Sequence, residues 1–244
     1  MSTDPRLLHW DACLNARDLG GFPTRDGRAT RWRAVVRADN LCRLTHHGRG
    51  ELARYGVRTA IDLRSEKELV LEHDPFSRPE LAEVAYVNLS QTSEAFWKAW
   101  SHELSGHQAD LLTLETCQAN LAAMFAAIAE APEGTVVVYC HAGKERTGLA
   151  AALLLRLAGV DPATITVEHA RSDIHLERLY AAWLAPYAER PDIERIAGQL
   201  RTPPDQMELT LAALDELYGG IEQYLLDCGL ERSDIDAVRE RIVE

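Results

Sequence analysis

Thr135-Val136-Val137-Val138-Tyr139-Cys140-His141-Ala142-Gly143-Lys144-Glu145-Arg146-Thr147-Gly148 is the stretch from which the rest of the chain is read. A β-branched run leads to Cys140. A short loop with Gly143 follows, and Arg146-Thr147 opens an apolar run from Leu149 to Leu157. The pattern predicts a buried strand, a tight loop and a helix. Such a loop aims backbone N–H groups and a helix N-terminus at one point, where an anion is held. Cations and a helix start also favour the thiolate form of a cysteine, so Cys140 is expected to be a nucleophile. Arg146, six residues on, can return a bidentate fork to two phosphate oxygens, which Lys cannot do. Thr147 can donate its hydroxyl to the sulfur. The chemistry indicated is covalent catalysis through a cysteinyl-phosphate. The bland alternative is a buried structural Cys beside a surface Arg.

With the strand before it and Arg146-Thr147-Gly148 after it, this loop resembles the phosphate loop of cysteine-dependent protein tyrosine phosphatases. Its Ala-Gly-Lys-acidic-Arg-Thr-Gly form is similar, more narrowly, to the bacterial tyrosine/lipid phosphatase family typified by mycobacterial PtpB. Three other stretches agree: Asn15-Ala16-Arg17-Asp18-Leu19-Gly20-Gly21, Ile61-Asp62-Leu63-Arg64-Ser65 with Glu68, and Tyr218-Gly219-Gly220-Ile221-Glu222-Gln223-Tyr224-Leu225. The resemblance covers nearly the whole chain. It implies an α/β fold with a central, mostly parallel twisted sheet flanked by helices, an added helical lid region and a helical C-terminal tail. It also implies hydrolysis of phosphotyrosine, with phosphoserine/threonine and phosphoinositides as further substrates and inorganic phosphate as product. Tyr139 stands where many such phosphatases have His, and Ala16 where the family usually has an aromatic.

A chain of 244 residues is long enough for one α/β domain with a full core. A net charge of -12 argues against a nucleic-acid partner. It also makes attraction of an anionic substrate a local property of the loop. Five cysteines, Cys13, Cys42, Cys117, Cys140 and Cys228, are odd in number and show no metal spacing or disulfide framework. Neither a signal segment nor a run near the ~20 residues of a membrane span is present. The expectation is a cytoplasmic protein, although export without a conventional signal occurs among relatives of the family.

Taken in order, residues 1–14 read as an arm packed by Leu7, Leu8 and Trp10. Arg17 and Asp18 read as an ion pair tying that arm to the core, with a catalytic role as the alternative. Asp26-Gly27 predicts a hairpin of 21–24 with 28–32. Ala34 to Arg37 reads as a strand, Leu41 to Tyr55 as a helix ended by Gly56, and Val57 to Arg64 as a strand. Arg64 and Glu68 are expected to pair with each other. Asp62 falls at a strand's carboxyl end, where it is either an acceptor for loop amides or a catalytic carboxylate. Glu83 to Leu89 reads as another strand. Residues 90–115 form a candidate lid, in which Ser93 caps a helix carrying Phe96, Trp97, Trp100 and Leu104. That stripe is either core or the wall of a substrate groove. His102, Ser105, Gly106 and His107 would be the hinge or tip, with both histidines solvated. Cys117 to Ala131 reads as a helix packed by Leu121, Met124, Phe125 and Ile128. Asp161-Pro162 starts another helix, expected over Thr164 to Trp183 and broken near Ser172-Asp173. Arg171, Asp173 and His175 read as a solvated face, in a segment that the resemblance places near the active-site mouth. The turn Arg201-Thr202-Pro203-Pro204 leads into a helix from Asp205 to Tyr218 with Leu209, Leu211, Leu214 and Leu217 inward. Ser233 with Asp236 caps the last helix. The whole chain, 1–244, reads as one domain with a helical extension at 205–244.

In this scheme the thiolate attacks phosphorus while a carboxylic acid protonates the leaving oxygen. Water then attacks the cysteinyl-phosphate with the carboxylate as base. No metal or cofactor is called for. Arg146 and the loop residues His141, Ala142, Gly143, Lys144 and Thr147 bind the phosphate. Glu145 and Asp62 are the two candidates for the acid. Lys144 beside Arg146 supplies a second cation, an arrangement also found in phosphatases that act on phosphoinositides. Two other classes compete with an enzyme of this kind: a phosphate-binding pseudo-phosphatase that recognises phosphoproteins, and a rhodanese-like sulfur carrier, against which Lys144 and Arg146-Thr147 argue.

Overall fold

A computed structural model describes residues 4–72, 75–101, 103–203 and 205–244. His102 and Pro204 lie outside the described residues. Among the described residues five strands form one sheet: β1 Arg17–Asp18, β2 Val35–Ala38, β3 Val57–Asp62, β4 Ala85–Asn88 and β5 Thr135–Tyr139. Their order is β1-β2-β5-β3-β4, with only β1 antiparallel to its neighbour. The mostly parallel sheet expected from the sequence is therefore present. Side chains of β5 alternate between two cores. Val136 and Val138 enter one, Val137 and Tyr139 the other. Burial on both faces is why this strand reads as an unbroken apolar run.

The helices are α1 His46–Tyr55, α2 Glu66–Leu71, α3 Glu94–Ala99, α4 Gly106–Thr116, α5 Gln118–Ala129 and α6 Glu145–Leu157. They continue with α7 Pro162–Leu184, α8 Ile193–Leu200, α9 Gln206–Tyr218, α10 Ile221–Asp227 and α11 Arg232–Ile242. One sheet face packs on α5, α6 and α9 to α11. The other packs on α1, the arm residue Trp10, and Phe76 and Leu81. Residues 205–244 share the first core through Leu211, Leu214, Tyr224, Ile235 and Val238. Among the described residues no single helix is long and apolar enough to cross a membrane.

Several expectations are corrected, each for a local reason. The Leu41–Tyr55 helix is split, because the Thr45 hydroxyl accepts the Gly48 amide at 3.1 Å and starts α1 afresh. Ser93 does cap α3, but that helix stops at Ala99. A capping box of Ser105 with Gln108 begins α4. Leu104 falls in the break, and Gly106 and His107 form a helix start rather than a tip. His107 is half-buried and reaches Thr210 Oγ1 at 3.1 Å. Helix α7 runs unbroken through Ser172-Asp173, because the Ser172 hydroxyl is buried and serves two arginines. Its Asp173 is no solvated acid, since it holds Tyr180 and the Thr202 amide. In α9 the inward positions are Met207, Thr210, Leu211 and Leu214, at helical spacing, while Leu209 and Leu217 are exposed. Glu231, not Ser233, is the N-cap of α11. Arg17 and Asp18 form no pair, because neighbours on a strand point to opposite sides. Asp18 instead accepts the Gly20 and Arg33 amides at 2.7 and 2.9 Å.

Candidate active site

β5 delivers Cys140 to the carboxyl edge of the sheet, where β3 also ends. Cys140 is 1% exposed, at the base of the loop. Gly143 has φ +65, and a Cβ there would lie 2.5 Å from the Ala38 carbonyl oxygen, so both backbone angle and space call for glycine. The carbonyls of the loop are tied from behind. Asn15 Nδ2 donates to Ala142 O and Gly143 O at 3.2 and 3.0 Å. Arg37 Nη2 donates to Gly143 O, and the Asn40 amide donates to His141 O. Among the described residues, the amides of 141–144 donate to no backbone or side-chain acceptor. Together with the orphan amides at the start of α6, they make a run of donors suited to an oxyanion.

Behind the loop lies a buried charge cluster. Arg17 and Arg37 share Glu168 at 2.8 and 2.7 Å, and both reach the Ser172 hydroxyl. Burial pushes the Glu168 carboxyl up, but the two guanidiniums outweigh that and hold it at about 2. Burial lowers Arg37 to about 10, which leaves it charged at neutral pH. Both Arg37 and Arg146 interact electrostatically with Cys140. Arg37 left one trace in the sequence, a charge closing the apolar run Val35-Val36 in a buried strand. A charge so placed needs a partner. Nothing in the sequence names Glu168, 131 residues away, as that partner.

Arg146 folds back to the loop, where its fork is taken by Glu68. Nη1 and Nη2 donate to Oε2 and Oε1 at 2.7 and 2.8 Å. The expected Arg64–Glu68 pair does not form. Arg64 forks Asp62 instead, with Nε and Nη2 at 3.0 and 2.8 Å. Asp62 is fully buried and also accepts the hydroxyls of Tyr139 and Tyr86 at 2.9 and 3.1 Å. Its oxygens are occupied within the protein, and it accepts the Arg64 amide as well, so the geometry supports the loop-acceptor reading.

Glu145 opens α6 about half exposed, 2.9 Å from Lys144 Nζ. Desolvation pushes its carboxyl up, but Lys144 prevails and holds it below the usual range. Lys144 is 6% exposed, donates to Leu200 O and stands 5.4 Å from the Tyr180 ring centroid, so it is no free second cation. The Thr147 hydroxyl is buried without a hydrogen-bond partner among the described residues; the expected bond to the Cys140 sulfur is not made. His141 stacks on Trp183 with ring centroids 5.9 Å apart.

Two cavities meet at Arg146. One of about 200 Å³ lies over the loop, walled by His141, Ala142, Lys144, Tyr180 and Trp183. The other, about 420 Å³, is walled by Phe96, Trp97, Trp100, Asp110 and Leu149. Glu68, Glu145 and Arg146 line both. Of the aromatic stripe, Phe96, Trp97 and Trp100 border this second cavity, with Phe96 buried and Trp97 52% exposed. Asp110 carries no motif in the sequence and looks like one acid on a helix. Its burial, which lifts it to about 7, comes from α9 closing over it.

Residues 8–244 match the family described as the tyrosine phosphatase family. A tyrosine-protein phosphatase of Nostoc commune is 34% identical over 217 residues, 86% of this chain and 74% of that protein. The triple specificity protein phosphatase PtpB of Mycobacterium tuberculosis is 25% identical over 271 residues, 92% of this chain and 95% of its own length. A putative tyrosine-protein phosphatase of Cupriavidus necator is 27% identical over 233 residues, 90% of this chain and 83% of the relative.

Proposed function

This chain belongs to the tyrosine phosphatase family and is a phosphoric monoester hydrolase, and from that premise we propose that it cleaves phosphotyrosine in proteins through a cysteinyl-phosphate on Cys140. The observation that carries this reading is the loop itself. Its carbonyls are bound from behind, its amides have no acceptor among the described residues, and Arg146 lines the cavity over it, with Cys140 at its base.

The substrate phosphate takes the cavity over the loop, with its oxygens on the amides of His141, Ala142, Gly143 and Lys144. Arg146, aligned by Glu68, grips the oxygens that gain charge as the reaction proceeds. The Cys140 thiolate attacks phosphorus opposite the ester oxygen. An S–P bond forms, the P–O bond breaks, and a proton relayed through Glu145 goes to the leaving phenol. The free hydroxyl of Thr147 turns to the sulfur when the intermediate breaks down. Water then attacks phosphorus, Glu145 takes its proton, and inorganic phosphate leaves the restored thiolate. Asp62 transfers no proton in this scheme and keeps Arg64 and Tyr139 in place.

The aromatic wall beside Arg146 favours an aryl ester. Lys144, committed to Glu145 and Leu200 O, does not favour the additional phosphates of a phosphoinositide. The natural partner in this reading is a phosphotyrosine protein. Cys140→Ser should cut turnover of a phosphotyrosine peptide by ~10⁴-fold or more, the scale on which loss of a nucleophile acts. Acid-quenched wild type should carry phosphate on Cys140. Turnover that survives Cys140→Ser would overturn the assignment. Peptide binding by wild type without turnover would point to a pseudo-phosphatase.

A further inference from the structure

Glu145 meets its substrate ionised, because Lys144 at 2.9 Å holds it so. The proton for the leaving oxygen must then come from another group. Asp62 is sealed beneath the sheet edge, and Glu68 is the ion-pair partner of Arg146. One further carboxyl lines the aromatic cavity together with Glu145 and Arg146, that of Asp110. Resting on the function given above, we propose that Asp110 is the proton store of the reaction, passing its proton to Glu145, which delivers it to the leaving oxygen.

Asp110 lies in α4 and is 4% exposed. It accepts Gln206 Nε2 at 3.0 Å and Thr210 Oγ1 at 3.1 Å, both at Oδ2. Both partners are neutral, and among the described residues no cation forms a salt bridge with it. A buried carboxylate without a cation is costly, so such a group keeps its proton. The hydrogen bonds fit a protonated form. Thr210 has one hydroxyl proton, and Gln206 O competes for it at 2.9 Å. When the hydroxyl turns to Gln206 O, its oxygen can accept a proton from Asp110.

The charged and titratable groups around Asp110 are Lys144, Glu145 and Arg146 from the loop and α6, Lys67 and Glu68 across the cavity on α2, and His107 on α4 itself. The side chains that α9 turns toward it, Gln206 and Thr210, are uncharged. Burial is the largest cause raising Asp110 to about 7, and the Glu145 charge adds to it. A group poised there can give up and regain a proton at neutral pH.

The proton balance closes over one turnover. Asp110 protonates Glu145, and Glu145 protonates the ester oxygen as P–O breaks and S–P forms. Asp110 is left ionised. Water attacking the cysteinyl-phosphate then gives its proton to Glu145, which returns it to Asp110 as S–P breaks. Asp110 acts through Glu145, so it is a positioning residue and not a catalytic one.

The test compares kcat for phenyl phosphate, whose leaving phenol needs a proton, with para-nitrophenyl phosphate, whose leaving group needs little help. In wild type, kcat for the phenyl ester should fall as pH rises through about 7, and the nitrophenyl ester should lack that limb. In Asp110→Asn the ratio of nitrophenyl to phenyl kcat should widen at least ~10-fold, and the limb should vanish. Equal losses on both esters, or a limb that persists in the variant, would overturn the proposal. Should Asp110→Asn fail to fold, a wild-type profile with no limb specific to the phenyl ester overturns it just as well. Loss of Cys140 chemistry would show separately, as failure to turn over either ester.

Discussion

Arg146 is aligned by protein groups alone, since Glu68 accepts both its Nη atoms while also capping α2 through the Ser65 amide and hydroxyl. Desolvation pushes Glu68 up, yet the Arg146 fork holds it at about 2. The carboxylate is therefore present at any working pH. Glu68→Gln keeps the shape and gives up the charge, a loss of ~1.5 kcal/mol in hydrogen bonding. In a steady-state assay kcat/KM for a phosphotyrosine peptide should fall ~10-fold. A rise would mean that Glu68 competes with the phosphate for the fork and does not brace it.

Among the elements, the contact of α6 with α7 sets how closely the loop can sit on its charge cluster. Nearly every residue of α6 after Arg146 is buried, so this helix shows no polar face. At Gly148 the absence of a side chain on α6 makes room for His169 of α7. A Cβ there would lie 2.5 Å from His169 Nδ1 and 2.6 Å from its Cε1. Gly148→Ala would gain up to ~1 kcal/mol in helix propensity. Overpacking a ring that has nowhere to go costs ~1–3 kcal/mol. A lowered midpoint of urea unfolding is expected, together with weaker phosphate binding as the loop is pushed off Arg37. An unchanged midpoint would show that the His169 ring can move aside.

For the whole molecule, the buried groups behind the loop couple stability to pH. Burial is the main cause holding His169 at about 3, with Arg37 adding to it. The unfolded value is ~6.5, so the unfolded chain takes up this proton first as pH falls. The stability His169 contributes is therefore complete above pH ~6.5 and drains away as pH falls towards 3. Glu168, depressed to about 2, acts in the same direction in a lower window, below pH ~4.3. His169→Gln removes the upper window alone. The stability of wild type minus that of the variant, measured by denaturant unfolding, should shrink by on the order of 3 kcal/mol between pH 7 and pH 4. A difference that stays constant would mean that His169 is protonated inside the fold.

The run from Thr135 to Leu157 could be read in one dimension. A strand buried on both faces, a loop that needs glycine and an apolar helix each write their pattern over a few neighbouring residues. The same holds for the placement of Cys140 just past the end of β5 and of Arg146 in the first turn of α6. Charge partners leave no such pattern. Arg17 looked paired with Asp18 and Arg64 with Glu68 because each is near in sequence, but the folded chain pairs Arg17 with Glu168 and Arg146 with Glu68. The place of Asp110 in the cavity wall was hidden for the same reason, since it depends on Gln206 and Thr210 closing over it from α9. Backbone preference and nucleophile chemistry are local properties of a chain. Which carboxylate meets Arg17 or Arg146, and which acid is kept dry, depends on segments 78 to 151 residues apart that meet once helices pack on the sheet.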